Sequence, residues 1–87
     1  SLVSNDRRVA YYAGRHADLG NIVPSFGVLY NGLKKKRWPG AEYIAVVCNR
    51  SLCQKITKHF KKVQKYNQIK VFSGRKEGKV LIYRLQS

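Results

Sequence analysis

Acidic residues and long apolar runs are scarce in this sequence, and each shortage excludes a class of protein. The 87 residues include only four Asp and Glu, none of them close to another along the chain. The paired carboxylates of glycosidases and metal-dependent nucleases are therefore not expected. No run approaches the ~20 apolar residues of a membrane-spanning helix. Residues 1–8 lack the apolar segment of a secretory signal, which indicates a chain that is either not exported or already processed.

Cysteine and histidine are also rare, with two residues of each type. Cys48 and Cys53 lie across a predicted strand end and helix start, and two cysteines make no disulfide framework. No second pair or histidine cluster accompanies them, so neither a zinc site nor a cofactor is expected. We interpret Cys53 as a core residue or a free thiol. This favours a reducing, intracellular setting, with a secreted protein carrying one disulfide as the alternative.

Positive charge is abundant and unevenly placed. Eighteen Lys and Arg against four Asp and Glu give a formal net charge of +14. Residues 1–33 hold three bases and two acids, whereas residues 34–87 hold fifteen bases and two acids, a net charge of +13. Repulsion among so many like charges destabilises a compact fold, which indicates a polyanionic partner. A surface charged only for solubility is the simpler alternative, but the excess of one sign is larger than solubility requires.

Chain length and hydrophobic pattern together predict one α/β (α+β) domain over residues 1–87, with a single small sheet and two helices. Hydrophobic residues make up 44% of the chain, which is ordinary for a globular protein. The predicted element order is β-α-β-α-β-β. The strands are predicted at residues 9–13, 42–48, 69–73 and 79–85, and the helices at residues 21–37 and 51–66.

The periodicity of apolar residues predicts which faces are buried. In the first helix, three- and four-residue steps predict a buried face of Val23, Phe26, Tyr30 and Leu33. Residues 42–48 are apolar almost without alternation, which predicts a strand buried on both faces. The second helix is predicted to begin at an N-cap, Ser51, since residues 51–54 match a capping box. Its apolar stripe comprises Leu52, Ile56, Phe60 and Val63.

Lysines fill the rest of the second helix. Helical spacing clusters four of them on the side away from Phe60, namely Lys58, Lys61, Lys62 and Lys65. Like charges at this spacing repel one another, and no acid lies between residues 48 and 74 to relieve them. A face that contacts phosphates explains this arrangement better than a merely solvated one.

Further basic residues follow the first helix, fill the predicted hairpin loop and occupy the last two strands. Trp38 suits base stacking, but at a turn in so small a domain its predicted role is to fill the core. Phe72 is also predicted to be a core residue, whereas Tyr83 suits the core and base stacking equally. The predicted nucleic-acid-binding residues are Lys34, Lys35, Lys36, Arg37, Trp38, Lys55, Lys58, Lys61, Lys62, Lys65, Lys70, Arg75, Lys76, Lys79 and Arg84.

These features predict a non-enzymatic nucleic-acid-binding protein whose affinity comes mainly from the phosphate backbone. RNA is favoured over DNA, because no helix-turn-helix, zinc finger or zipper is present and the sheet offers stacking aromatics. Two alternatives stay open. One is a processed, secreted basic toxin or effector that acts on acidic cell surfaces, which a Cys48–Cys53 disulfide would favour. The other is a small ribonuclease that uses His16 and His59 as general acid and base.

One part of the sequence resembles a known family. Gly32-Leu33-Lys34-Lys35, followed by the apolar run at residues 41–47, is similar to the kink-turn-binding ribosomal proteins. The resemblance covers less than half of the chain and does not include the terminal helix of that family, so no site residues are carried over from it.

Overall fold

The computed structural model describes residues 2–12, 21–73 and 78–86. The described residues form four strands and three helices: β1 (Leu2–Ser4), α1 (Arg7–Tyr12), α2 (Phe26–Lys34), β2 (Tyr43–Cys48), α3 (Arg50–Lys62), β3 (Tyr66–Ser73) and β4 (Lys79–Leu85). The predicted α+β class with one small sheet is therefore confirmed, and the order of elements differs from the prediction only near the start of the chain.

The four strands form one mixed sheet in the order β1-β2-β4-β3. β1 pairs parallel to β2, whereas the β2–β4 and β4–β3 pairs are antiparallel. The central strand β2 is buried on both faces, since Ile44, Ala45 and Val46 are all 0% exposed. Its nearly continuous apolar sequence predicted this position, because a strand covered on both sides has no polar face to present.

The two faces of the sheet are covered differently. We call the face under α2 and α3 the helix side and the opposite face the far side. The helix-side core contains buried residues from both helices and from three strands: Val3, Leu29, Ile44, Val46, Ile56, Phe60, Leu81 and Tyr83. Phe60 stacks on Tyr83 with ring centroids 4.0 Å apart, which holds α3 over β4. On the far side a smaller cluster joins Val9 of α1 to Leu2 and Ala45 of the sheet.

The predicted strand at residues 9–13 is wrong where the structure describes it. Residues 9–12 belong to α1, and Ala13 lies outside the described residues. Asp6 favours the helix, because its Oδ1 accepts a hydrogen bond from Arg8 N at 2.8 Å and its carbonyl accepts one from Val9 N at 3.3 Å. The first strand is instead Leu2–Ser4, which is too short to show a sequence pattern.

The first predicted helix is shorter than residues 21–37. α2 begins after the N-cap Ser25, whose Oγ accepts a hydrogen bond from Val28 N at 3.3 Å. It ends in a Schellman motif, in which Lys36 N donates to Leu33 O and Arg37 N donates to Gly32 O. This motif requires a left-handed residue, and Lys36 occupies it with φ 55°. Three residues of the predicted apolar face, Phe26, Tyr30 and Leu33, lie on α2 and pack partly buried against the core. Val23 also packs there but precedes the helix, and the buried residues of α2 are Leu29 and Gly32.

The second predicted helix is confirmed in its centre and wrong at both ends. Asn49 is the N-cap rather than Ser51, because Asn49 Oδ1 accepts a hydrogen bond from Leu52 N at 2.9 Å. The helix ends at Lys62, and Val63 is 40% exposed rather than part of the buried stripe. The chain then returns to the sheet, where the buried Tyr66 hydroxyl donates to the carbonyl of Ala41 at 2.8 Å.

A disulfide joins Cys48, at the end of β2, to Cys53, in the first turn of α3. The interpretation of Cys53 as a core residue is confirmed, since both cysteines are buried, but the free-thiol alternative is wrong. The bond ties the start of the lysine-rich helix to the central strand, and therefore fixes the position of that helix on the sheet.

Candidate nucleic-acid interface

The outer surface between α2 and α3 brings cations from both helices to one aromatic ring. Lys34, at the end of α2, places its Nζ 4.6 Å from the centroid of the Tyr30 ring. Lys55 of α3 places its Nζ 4.8 Å from the same centroid. Tyr30 itself stacks on Phe26 at 5.8 Å and packs against the helix-side core, so the ring is held in place from below. Two ammonium groups from different helices therefore lie close to the ring of Tyr30.

His59 completes this arrangement. It lies one turn after Lys55, and its ring meets the edge of the Tyr30 ring at a centroid distance of 5.7 Å. Partial burial, followed by the charges of Lys34 and Lys62, lowers the pKa of His59 below its ordinary value of 6.5. We refer to Tyr30, Lys34, Lys55, His59 and Lys62 as the Tyr30 cluster.

The electrostatics of the Tyr30 cluster suit an anion. A cation over an exposed aromatic ring gains about 0.5–1 kcal/mol, but two cations at one ring also repel each other. No Asp or Glu occurs in residues 19–41 or 43–76, the sequence that contains both helices. The repulsion within the cluster is therefore not relieved by a neighbouring carboxylate from either helix. A phosphate placed between the ammonium groups would relieve it and accept charge-assisted hydrogen bonds.

The other predicted lysines on α3 lie elsewhere on its surface. At 100° per residue, Lys58 and Lys61 point away from both α2 and the core, and both are exposed. Lys65 is not on the helix, which ends three residues earlier, and its Nζ donates a hydrogen bond to the carbonyl of Pro39 at 3.0 Å. The prediction of a single four-lysine helical face is therefore wrong, because it required the helix to continue to residue 66.

The turn after α2 adds three exposed cations next to the Tyr30 cluster, namely Lys35, Lys36 and Arg37. Trp38 follows them and is partly buried against the helix-side core, as its predicted core role requires. Its indole lies over Gly32, so close that a β-carbon on Gly32 would overlap the ring. Trp38 thus supports the end of α2 and the lysines attached to it.

A second set of predicted residues lies on the far side of the sheet. Lys70 Nζ lies 5.1 Å from the centroid of the Phe72 ring, and Arg84 Cζ lies 5.9 Å from that of Tyr43. Phe72 is 40% exposed, so its predicted core role is wrong, whereas Tyr83 is 3% exposed and belongs to the core. The structure therefore divides the predicted residues between two opposite faces. Lys79 is exposed at the start of β4, and Arg75 and Lys76 lie outside the described residues.

Sequence reasoning missed three residues at these sites. The sequence places Tyr30 only on the apolar face of its helix, and it indicates His59 only for the ribonuclease alternative and not for nucleic-acid binding. The spacing of Lys55, His59 and Lys62 at i, i+4 and i+7 does place them on one flank of α3. This flank meets Tyr30 only because of the way α2 and α3 pack together. The spacing of residues within one helix does not predict that packing. Tyr43 lies in an apolar strand, so the sequence likewise does not predict its contact with Arg84 of the neighbouring strand.

Comparisons of the chain with protein-family models, with curated proteins and with solved structures find no match. The partial resemblance to kink-turn-binding ribosomal proteins is therefore not supported by a family match. Within the described ranges, no helix is long and apolar enough to cross a membrane. The same residues include no group of three or more His, Cys, Asp and Glu side chains that could hold a metal ion. His16, predicted as a partner of His59 in a ribonuclease, lies outside them.

Proposed function

We propose that this protein binds nucleic acid without acting on it chemically, and that the Tyr30 cluster on its helix side contacts the phosphate backbone. The observation that carries the proposal is the meeting of Lys34 and Lys55 at one ring, 4.6 and 4.8 Å from its centroid. Two helices free of acidic residues hold these charges together against their repulsion. A backbone with regularly spaced phosphates is the partner that most directly offsets that repulsion.

The surrounding cations extend this contact along a backbone. Lys35, Lys36 and Arg37 continue from the C-terminus of α2, and Lys58 and Lys61 continue across the outer surface of α3. Side chains of this type neutralise phosphates without reading sequence, so the expected binding is strong at low salt and nearly independent of sequence. RNA remains favoured over DNA on the grounds given by the sequence.

Salt dependence of duplex binding tests the proposal. If five or more phosphates are neutralised, log affinity falls with log salt at about −0.7 to −0.9 per contact. The double variant Lys34→Gln with Lys55→Gln is expected to weaken duplex binding and reduce the slope by about 1–2 units. The matched control, Lys70→Gln with Arg84→Gln, removes the same charge from the far side and is expected to leave the slope closer to that of the unaltered protein. Equal losses in both variants would assign binding to net charge alone.

Incubation of the purified protein with labelled RNA tests whether the protein is a ribonuclease or only binds RNA. Intact RNA is expected after incubation, both for the unaltered protein and for the double variant His16→Gln with His59→Gln. Cleavage that is lost in this variant would replace the proposed function with general acid–base catalysis.

The disulfide favours a second candidate function. Disulfides persist mainly in oxidising compartments, so the Cys48–Cys53 bond is more typical of a secreted protein than of an intracellular one. A secreted basic protein would direct the same cations to acidic cell surfaces. Binding to vesicles of anionic lipid and to sulfated glycans, measured beside duplex RNA at equal salt, distinguishes the two. Tighter binding to the vesicles or glycans would favour the secreted candidate.

A further inference from the structure

We propose that the far side of the sheet is a second binding surface, and that it binds single-stranded nucleic acid by stacking a base on Phe72. This surface shares no residue with the Tyr30 cluster. The proposal therefore adds a second ligand and a second face to the proposed function, and each can be tested while the other fails.

Strand register places the relevant side chains on this face. Arg84 of β4 lies between Tyr43 of β2 and Asn67 of β3, so these three side chains form one row. A β-bulge between Gln68 and Lys70 then shifts the register of β3 by one residue. Because side chains alternate between faces, the shift turns Lys70 and Phe72 to the far side, where without it they would face the helices.

The result is one exposed aromatic ring, Phe72, near the β3 edge of the far side, whereas Tyr43 is half-buried in the far-side cluster. Phe72 is 40% exposed, although a buried position for such a ring would remove more apolar area from water. Lys70 and Arg84 are exposed beside the two rings, at 5.1 and 5.9 Å from the respective centroids. β3 and β4 contain no acidic residue. Within the described part of the chain, α1 contacts β1 at the opposite edge of the sheet, and the far-side cluster extends across the sheet to Val80, which pairs with Phe72.

The chemistry of this surface selects a single strand. Bases in a duplex already stack on one another, whereas unpaired bases can stack on protein aromatics while nearby cations contact the backbone. The positive charge of Lys70, beside Phe72 on strands that contain no carboxylate, favours a polyanion as the partner, whereas Arg84 shares a depression of the surface with Glu42.

Binding of a labelled oligouridylate, followed by fluorescence anisotropy, tests the stacking surface. Phe72→Leu keeps an apolar side chain but removes the ring, and is expected to weaken single-strand binding by about tenfold while leaving duplex binding unchanged. Phe72→Tyr retains a ring and is expected to bind like the unaltered protein. The proposal would be overturned if Phe72→Leu bound the single strand as tightly as the unaltered protein does. It would also be overturned if Phe72→Leu weakened duplex binding as much as single-strand binding. Lys70→Gln provides a second test, with weaker single-strand binding expected.

Because the two surfaces lie on opposite faces, one protein molecule is expected to bind a duplex and a single strand at the same time. This expectation rests on the proposed function of the helix side. Energy transfer between a donor-labelled duplex and an acceptor-labelled single strand is expected to appear when protein is added. The transfer should decrease in Phe72→Leu and in the double variant Lys34→Gln with Lys55→Gln. If single-strand binding persists in the latter while duplex binding does not change, the helix-side proposal fails and the far-side site stands.

Discussion

The side chain of Asn5 forms two hydrogen bonds with the backbone of Val47. Asn5 Nδ2 donates to the Val47 carbonyl, and Val47 N donates to Asn5 Oδ1, both at 2.9 Å. Asn5 directly follows β1, so its amide extends the pairing of β1 with β2 by one further rung. Asn5→Ala is expected to lower the free energy of unfolding by about 2 kcal/mol, because two partly buried backbone groups lose their partner. Urea denaturation followed by circular dichroism measures this change.

Asn67→Ala is the matched control, because Asn67 is exposed and its side chain accepts a hydrogen bond from Gln86 at the surface. A change of less than about 0.5 kcal/mol is expected there. Similar losses in the two variants would mean that the paired amide of Asn5 contributes no more than a surface contact.

Two glycines in α2 are predicted to respond to alanine in opposite ways. Gly32→Ala places a β-carbon in the volume of the Trp38 indole, and overpacking of this kind costs about 1–3 kcal/mol. At Gly27 the added carbon meets only Ser25 Oγ, at 3.9 Å, so its replacement is expected to stabilise the protein by about 0.5–1 kcal/mol. Thermal unfolding of both variants checks the signs, and a gain in both would show that the indole moves aside freely.

The backbone conformation of Lys36 is predicted to lower the free energy of unfolding of the protein, relative to a glycine at the same position. Its φ of 55° lies in the left-handed region, which a residue with a β-carbon occupies at a cost of about 1–2 kcal/mol. Lys36→Gly is therefore expected to raise the free energy of unfolding by about 1 kcal/mol. Lys35→Gly removes the same charge at a φ of −85° and is expected to give no such gain. Equal gains from the two variants would attribute the effect to charge instead.

His59 is predicted to make binding pH-dependent. Burial and the charges of Lys34 and Lys62 lower its pKa below 6.5, so His59 is neutral at pH 7.5 in the free protein. A bound phosphate favours the imidazolium, and affinity for duplex should therefore rise as the pH falls from 7.5 to 5.5, by up to about tenfold for each pKa unit that binding restores. His59→Gln is expected to remove this rise, and the matched variant His16→Gln to retain it. A rise that survives in His59→Gln would place the titrating group elsewhere.

The same pKa shift determines how His59 affects the stability of the free protein. Because the folded-state pKa lies below the unfolded-state value, the unfolded chain takes up the proton more readily. Stability is therefore lost as the pH falls through the unfolded pKa near 6.5, and the loss levels off below the folded pKa. Melts of the unaltered protein should decline more over this range than those of His59→Gln.

The sequence predicts an element correctly where the pattern of residues within that element is sufficient to identify it. β4 was predicted with its observed bounds, and the apolar run of β2 predicted burial on both faces. It failed at residues 9–12, because a short apolar run fits a strand and a helix equally until the surrounding contacts decide. The helix start was assigned to Ser51 rather than Asn49, since both are good N-cap residues and only the backbone angles distinguish them.

The sites were predicted less completely because they depend on contacts between elements. Individual lysines were recognised, but the Tyr30 cluster forms only when the flank of α3 meets α2. The far-side surface depends on a one-residue bulge in β3, which no residue type marks and which changes the face that Phe72 occupies. The disulfide likewise required knowing that the end of β2 and the first turn of α3 approach each other.

The position of β1 has a consequence for the kinetics of folding. β1 is the shortest strand and lies at an edge, and its pairing of Leu2 with Tyr43 closes about forty residues of chain, whereas five residues separate β3 from β4. Loop closure of this length delays pairing, so we expect β1 to join the sheet late in folding and to separate early in unfolding. Asn5→Ala should then accelerate unfolding and leave the refolding rate nearly unchanged in stopped-flow measurements. Resistance to unfolding would thus be controlled at the edge farthest from β3, while the speed of folding is set by the β3–β4 pair.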